Sequence, residues 1–136
     1  MKKKELLKLK NFLFKKILKK IKLENEKIIS STINFYSKSK GQIDPVTKFD
    51  LSVEKIIRNE IKKKFPEHNI LGEEFSSTNK GSKYTWVIDP IDGTKALISG
   101  QPTWSNLISL YYNSLPIFGM ANFPVLNKTY YGDKFG

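Results

Sequence analysis

No cysteine occurs in this 136-residue chain, so disulfides, thiol nucleophiles and thiolate metal sites are excluded, and a reducing cytoplasm is a compatible compartment. Imidazole is almost as scarce. His68 is the one histidine, and within Phe65-Pro66-Glu67-His68-Asn69 it reads as an exposed loop residue. Zinc hydrolysis and Ser-His-Asp catalysis therefore lack the side chains they need. Arginine is reduced to Arg58 alone, although the chain carries a net charge of +11. Long apolar runs are missing from the first segment. Lysine interrupts each of them, so neither a secretory h-region nor a membrane span is expected there.

The positive charge is concentrated at one end. Met1 to Lys22 holds ten lysines and one glutamate, a net +9, which leaves +2 for everything after it. Leu6, Leu9, Leu13, Ile17 and Ile21 form a helical stripe through the same segment. A basic amphipathic helix of this kind suits anionic lipid or nucleic acid. Yet bidentate phosphate contacts favour arginine over lysine. A solvated, lysine-coated first helix is the expected reading, with no nucleic-acid partner.

The helical pattern extends from near Glu5 to Tyr36, with a break expected around Leu23-Glu24-Asn25. Ser37 to Thr47 reads as a loop. A second amphipathic helix is expected from about Leu51 to Phe65, with Val53, Ile56, Ile57 and Ile61 inward and Pro66 as its stop. Strands follow at about Tyr84–Ile88, Ser105–Tyr111, Ile117–Phe123 and Lys128–Gly132, and Asn113 to Pro116 connects the second to the third. Two helices followed by antiparallel strands make an α+β arrangement.

The chemistry is concentrated in Trp86-Val87-Ile88-Asp89-Pro90-Ile91-Asp92-Gly93-Thr94. Val87 and Ile88 favour a buried strand. Pro90 cannot extend a sheet ladder, so a turn is expected where the acids sit. Asp89 and Asp92, three residues apart, then face one point, and the Ile91 carbonyl is free to join them. Oxygen ligands without sulfur or imidazole suit a hard cation such as Mg²⁺. Gly93-Thr94 opens a helix whose N–H groups attract phosphate. Upstream, Ile70-Leu71-Gly72-Glu73-Glu74-Phe75 ends another apolar run in acids. Glu73 is placed to bridge to the same cation or to act as general base, with the Thr94 hydroxyl orienting the proton.

Gly72-Glu73-Glu74 followed by WVIDPIDGT resembles the signature of the inositol monophosphatase family of Mg²⁺-dependent phosphomonoesterases. The likeness covers roughly Asp44 to Gly136. Phe75 and the run from Lys95 to Gly136 are more similar to the histidinol-phosphate phosphatase branch. Inositol phosphatases usually continue the Gly-Thr with Thr-Asn-Phe and place a His before the next glycine. Here those places read Lys95-Ala96-Leu97 and Ser99-Gly100.

The resemblance implies a metal site of Glu73, Asp89, Asp92 and the Ile91 carbonyl, with Mg²⁺ as cofactor. It implies that Glu73 and Thr94 activate water, and that Asp92, Gly93 and Thr94 bind the substrate's phosphate. Asp50, in the segment Asp44 to Asp50, would orient Thr94, although it reads equally as a helix N-cap. The implied fold is the N-terminal half of a layered α/β/α/β/α sugar-phosphatase, two helices on an antiparallel sheet. Nothing in residues 1–136 matches the family's second domain, so the chain reads as a half enzyme from a truncated sequence or a broken gene, inactive by itself. The implied substrate is L-histidinol phosphate, with inositol 1-phosphate or a 3′(2′),5′-bisphosphate nucleotide as alternatives. A homodimer of the full-length enzyme is compatible with this reading. A haloacid-dehalogenase-like phosphatase fits less well, because it needs its two aspartates two residues apart. A lipid- or nucleic-acid-binding module built on the basic helix would leave both acidic motifs unexplained.

Overall fold

The computed structural model describes residues 1–35 and 45–136. A long helical segment opens the chain: α1 (Lys3–Phe12), a π-helical stretch (Leu13–Leu18) and α2 (Lys19–Phe35) run on without a break. The stripe explains the π stretch. Leu9, Leu13, Ile17 and Ile21 recur every four residues, and an ordinary helix would carry such a series about 40° further around its axis at each step. The wider i→i+5 turn holds back that drift. Leu6, Leu9, Leu13, Ile17, Ile21 and Ile28 are accordingly all buried.

The break expected at Leu23-Glu24-Asn25 does not occur, because those polar residues meet partners on other elements. Glu24 accepts a hydrogen bond from Ser52 at 3.0 Å, and Asn25 is buried against Asn106. Lys27, hydrogen-bonded to Glu24, holds that carboxyl below its ordinary range. Tyr36 and the loop assigned to residues 37–44 lie outside the described residues. Helix α3 (Pro45–Lys64) begins six residues before the expected Leu51, with Pro45 in the first-turn position where a missing N–H costs nothing. Val53, Ile57 and Ile61 are buried on it and Ile56 is partly so. No described helix is long and apolar enough to cross a membrane.

Five strands form one sheet in the order β1 (Asn69–Gly72), β2 (Tyr84–Asp92), β3 (Ser105–Tyr112), β4 (Leu115–Phe123) and β5 (Lys128–Asp133). The α+β class is as expected, but the sheet is mixed. β1, read from the sequence only as an apolar run, pairs parallel with β2, while the later pairs are antiparallel. Asn113 and Ser114, with φ of +46° and +65°, make the tight β3–β4 turn. Trp86, Ile88, Ile108 and Leu110 carry the core across the central strands to the helices.

His68 is not an exposed loop residue. Its ring stacks between Phe65 and Tyr84, with centroids 4.8 Å away on each side, and its Nδ1 accepts the Trp86 indole N–H at 3.1 Å. Long-range stacking outweighs the polar neighbours that suggested exposure. Burial pushes its pKa below the ordinary 6.5. The contribution to stability is therefore complete above about pH 6.5 and is lost as pH falls through the lowered folded value. The melting temperature is expected to fall more steeply from pH 7 to pH 5 in the native chain than in His68→Gln. Parallel curves in differential scanning calorimetry would contradict this.

Candidate active site

Parallel pairing of β1 with β2 sets Gly72 beside Ile88, so the next residues along the two strands, Glu73 and Asp89, emerge together at the same edge of the sheet. The Glu73 carboxyl lies close enough to that of Asp89 to act on its titration. Burial, then Glu73, then the charge of Asp92 push the Asp89 pKa up to about 7, against a hydrogen bond from the Ile91 backbone that lowers it. Asp89 Oδ1 is buried without a hydrogen-bond partner. Two carboxyls pressed together, one oxygen left unsatisfied, are a poor arrangement for a fold alone and a good one for a cation.

The chain does not turn at Pro90. β2 continues through it to Asp92, with a bulge: Asp89 faces Leu107 and Asp92 faces Ser105, so three steps on β2 match two on β3. A bulge frees Pro90 from the donor role that it cannot fill. The bulge is held from below. Asn106 Nδ2 donates to the Pro90 carbonyl at 2.7 Å, while its Oδ1 accepts from Asn25 and Asn122, each at 2.9 Å. Asn25 and Asn106 are both buried.

Beyond the bulge, Gly93 takes a left-handed φ of +84° and leads into α4 (Thr94–Ile98), a helix of five residues. A Cβ on Gly93 would also lie 3.4 Å from the Trp104 backbone. Asp92 and Glu73 are exposed at this edge, Thr94 is half-buried and the Ile91 side chain is buried in the core. Asp50 is half-buried in the interior of α3, which removes the N-cap reading, because the helix already begins at Pro45. Among the described residues no three acidic or imidazole groups are gathered closely enough to enclose a metal ion. The structure thus brings Glu73 against Asp89, with Asp92 within electrostatic reach.

Two supporting groups escaped the sequence reading. One is the asparagine network. The other is the buried pair Glu54–Arg58 on α3, whose Nε–Oε1 distance is 2.7 Å and which grips the chain just after Glu73. An i, i+4 Glu/Arg pair containing the only arginine was the available signal for the second. Asparagine spacing offered none for the first. Asn106→Ala is expected to destabilise the fold by about 2–4 kcal/mol, since it strands the Pro90 carbonyl, the buried Asn25 amide and the half-buried Asn122 amide. Urea unfolding measures this, and a loss below about 0.5 kcal/mol would deny the network its role.

The profile of the inositol monophosphatase family matches residues 3–135. The chain is 38% identical over 96 residues to a histidinol-phosphatase of Chlorobaculum parvum, covering 71% of this chain and 37% of the relative. It is 40% identical over 95 residues to a fructose-1,6-bisphosphatase/inositol-1-monophosphatase of Aquifex aeolicus, covering 70% and 36%. A crystal structure of an IMPase/NADP phosphatase complexed with NADP and Ca²⁺ superimposes with a TM-score of 0.79 at 23% identity, over 98% of this chain and 48% of that one. The chain spans little more than a third of the length of the two curated relatives.

Proposed function

Because the chain belongs to the inositol monophosphatase family, we propose that residues 1–136 form the metal- and water-handling portion of a Mg²⁺-dependent phosphomonoesterase. The observation that carries this reading is the Glu73–Asp89 carboxyl pair just past the end of the parallel β1–β2 ladder, with an unsatisfied buried oxygen. Asp89, Asp92, Glu73 and the Ile91 carbonyl would hold the cation. They offer only oxygen, the donor set that Mg²⁺ takes. Mg²⁺ bound there supplies a lowered pKa for the attacking water and neutralises charge on the phosphate.

The chain's own residues do the rest. Glu73 accepts the proton of the attacking water, and the Thr94 hydroxyl orients that water. Asp50 holds Thr94 from α3. The backbone N–H groups of Gly93 and Thr94, with Asp92, receive the phosphate, and the first N–H groups of α4 have no partner within the helix. Substrate selection and a further metal ligand belong to a second domain, and the isolated 136-residue chain turns over slowly or not at all.

The substrate proposed is L-histidinol phosphate, hydrolysed to histidinol and phosphate. The support is Lys95-Ala96-Leu97 and Ser99-Gly100, which depart from the inositol-type pattern, and a histidinol-phosphatase relative. Inositol 1-phosphate is the second reading, supported by a relative of similar identity. Phosphate release is to be measured in a full-length family polypeptide carrying this segment, with L-histidinol phosphate, inositol 1-phosphate, fructose 1,6-bisphosphate and adenosine 3′,5′-bisphosphate. A higher kcat/KM for any competitor would overturn the substrate. Absence of Mg²⁺-dependent release from all four would overturn the enzyme reading.

A further inference from the structure

Glu54 and Arg58 stand one helical turn apart on α3, Glu54 fully buried and Arg58 5% exposed. A buried ion pair recovers its desolvation cost only when its remaining polar atoms are satisfied, so the partners of this pair define its use. Both are spent on the segment after β1. Glu54 Oε2 accepts the Glu74 backbone N–H at 2.8 Å, and Oε1 accepts that of Phe75 at 3.3 Å. Arg58 Nη2 donates to the Phe75 carbonyl at 2.9 Å, and its guanidinium lies 5.7 Å from the Phe75 ring centroid. On the other flank, a Cβ at Gly72 would collide with the Glu54 carboxylate. The pair therefore presses on the residue before Glu73 and bonds the two residues after it. It touches nothing that would react.

We infer that Glu54 and Arg58 are positioning residues, which hold the Gly72–Phe75 backbone so that the Glu73 carboxyl meets Asp89. This rests on the reading of Glu73 as a metal ligand and base. β1 ends at Gly72, so beyond it no ladder to β2 constrains the chain. In place of that ladder, α3 supplies hydrogen bonds to consecutive amides from one carboxylate. Exposed loop backbone without such bonds would leave Glu73 free to swing into water, and the entropy of fixing it would fall on metal binding.

Glu54→Gln tests this with little change of shape. A neutral amide has one acceptor oxygen, and its NH₂ must face a donor where the carboxylate faced two amides and a guanidinium. Two quantities are read on the purified chain: hydrogen exchange at the Glu74 and Phe75 amides without metal, and Mn²⁺ affinity by calorimetry. Faster exchange at both amides and Mn²⁺ binding weakened by roughly 10–100-fold are expected, the size usual for groups that orient ligands. Arg58→Lys keeps the charge but loses the fork, and should fall between native and Glu54→Gln. Ile61→Val, a buried change on the same helix, controls for simple destabilisation and should leave Mn²⁺ affinity unchanged.

Unchanged amide exchange in Glu54→Gln would overturn the proposal. So would altered exchange with native Mn²⁺ affinity while Glu73→Gln weakens it, or an equal loss of affinity in Ile61→Val. If Glu54→Gln fails to fold, Arg58→Lys carries both readouts. Native Mn²⁺ affinity in Glu73→Gln would mark a different failure, that of the metal site itself, and would remove the purpose assigned to the pair.

Discussion

Glu73→Gln is expected to lower kcat by about 10²–10⁴-fold at saturating Mg²⁺ in a full-length polypeptide carrying this segment. Glutamine matches glutamate in size, so packing at the sheet edge is preserved. It cannot take a proton from water, and it contributes no charge to a cation. The substitution has a second consequence, read in the pH profile. Glu73 is one of the causes that raise the Asp89 pKa to about 7. Without the Glu73 charge, Asp89 of the metal-free enzyme ionises at a lower pH, so at subsaturating Mg²⁺, where protons compete with the cation, the acidic limb of the residual activity should be displaced towards acid. Steady-state kinetics from pH 5.5 to 9 checks both effects. Near-native kcat would remove Glu73 from the chemistry, and an unmoved limb would mean that Asp89 does not sense it.

Asp89→Asn should act in opposite directions on metal binding and on the stability of the metal-free chain. Calorimetric Mn²⁺ binding is expected to be abolished, since a half-buried anionic ligand becomes neutral. The metal-free protein should nevertheless melt at a higher temperature at pH 8. The sign follows from linkage. A carboxyl whose folded pKa is raised from 3.8 to about 7 contributes its full stability below pH 3.8 and loses it as pH rises through 7. At pH 8 the native fold therefore carries a charged, half-buried Asp89 beside Glu73 and Asp92. Removing that charge should gain on the order of 1 kcal/mol after solvent screening, which is several degrees in Tm for a chain of this size. At pH 4 the gain should vanish. A variant that still binds Mn²⁺, or that melts lower at pH 8 than at pH 4 relative to native, would contradict the site. For the native chain, Mn²⁺ affinity should rise from pH 6 to pH 8, because binding must displace the proton that the carboxyl pair retains.

What was legible in the sequence is what depends on neighbours along the chain. The stripe Leu6 to Ile21, the inner face of α3 and the apolar runs of β2 to β5 announced their elements through periodicity alone, and burial follows that pattern. The residue types at the site were legible too: acids at the ends of apolar runs, and a glycine where the backbone needs a positive φ. Pro90 marked an interruption. Whether it meant a turn or a bulge was decided by β3, whose Asn106 takes the Pro90 carbonyl and keeps the strand paired through to Asp92.

The sequence by itself determined the elements and the chemistry available to them, because hydrophobic period, proline geometry and side-chain donor sets are local properties. Only the tertiary structure decided which of those groups meet. Glu73 and Asp89 become partners because β1 runs parallel to β2, a pairing across a connection that carries no periodic signal. His68 is buried because Tyr84 and Trp86 of β2 and Phe65, just after α3, close on it. Glu54, Arg58 and the asparagines count because α3 and α2 pack where their polar atoms meet stranded backbone groups. All of these contacts except the Phe65–His68 stack join residues distant along the chain, where the free energy of burial and of satisfied hydrogen bonds selects among many partners that local sequence leaves equivalent.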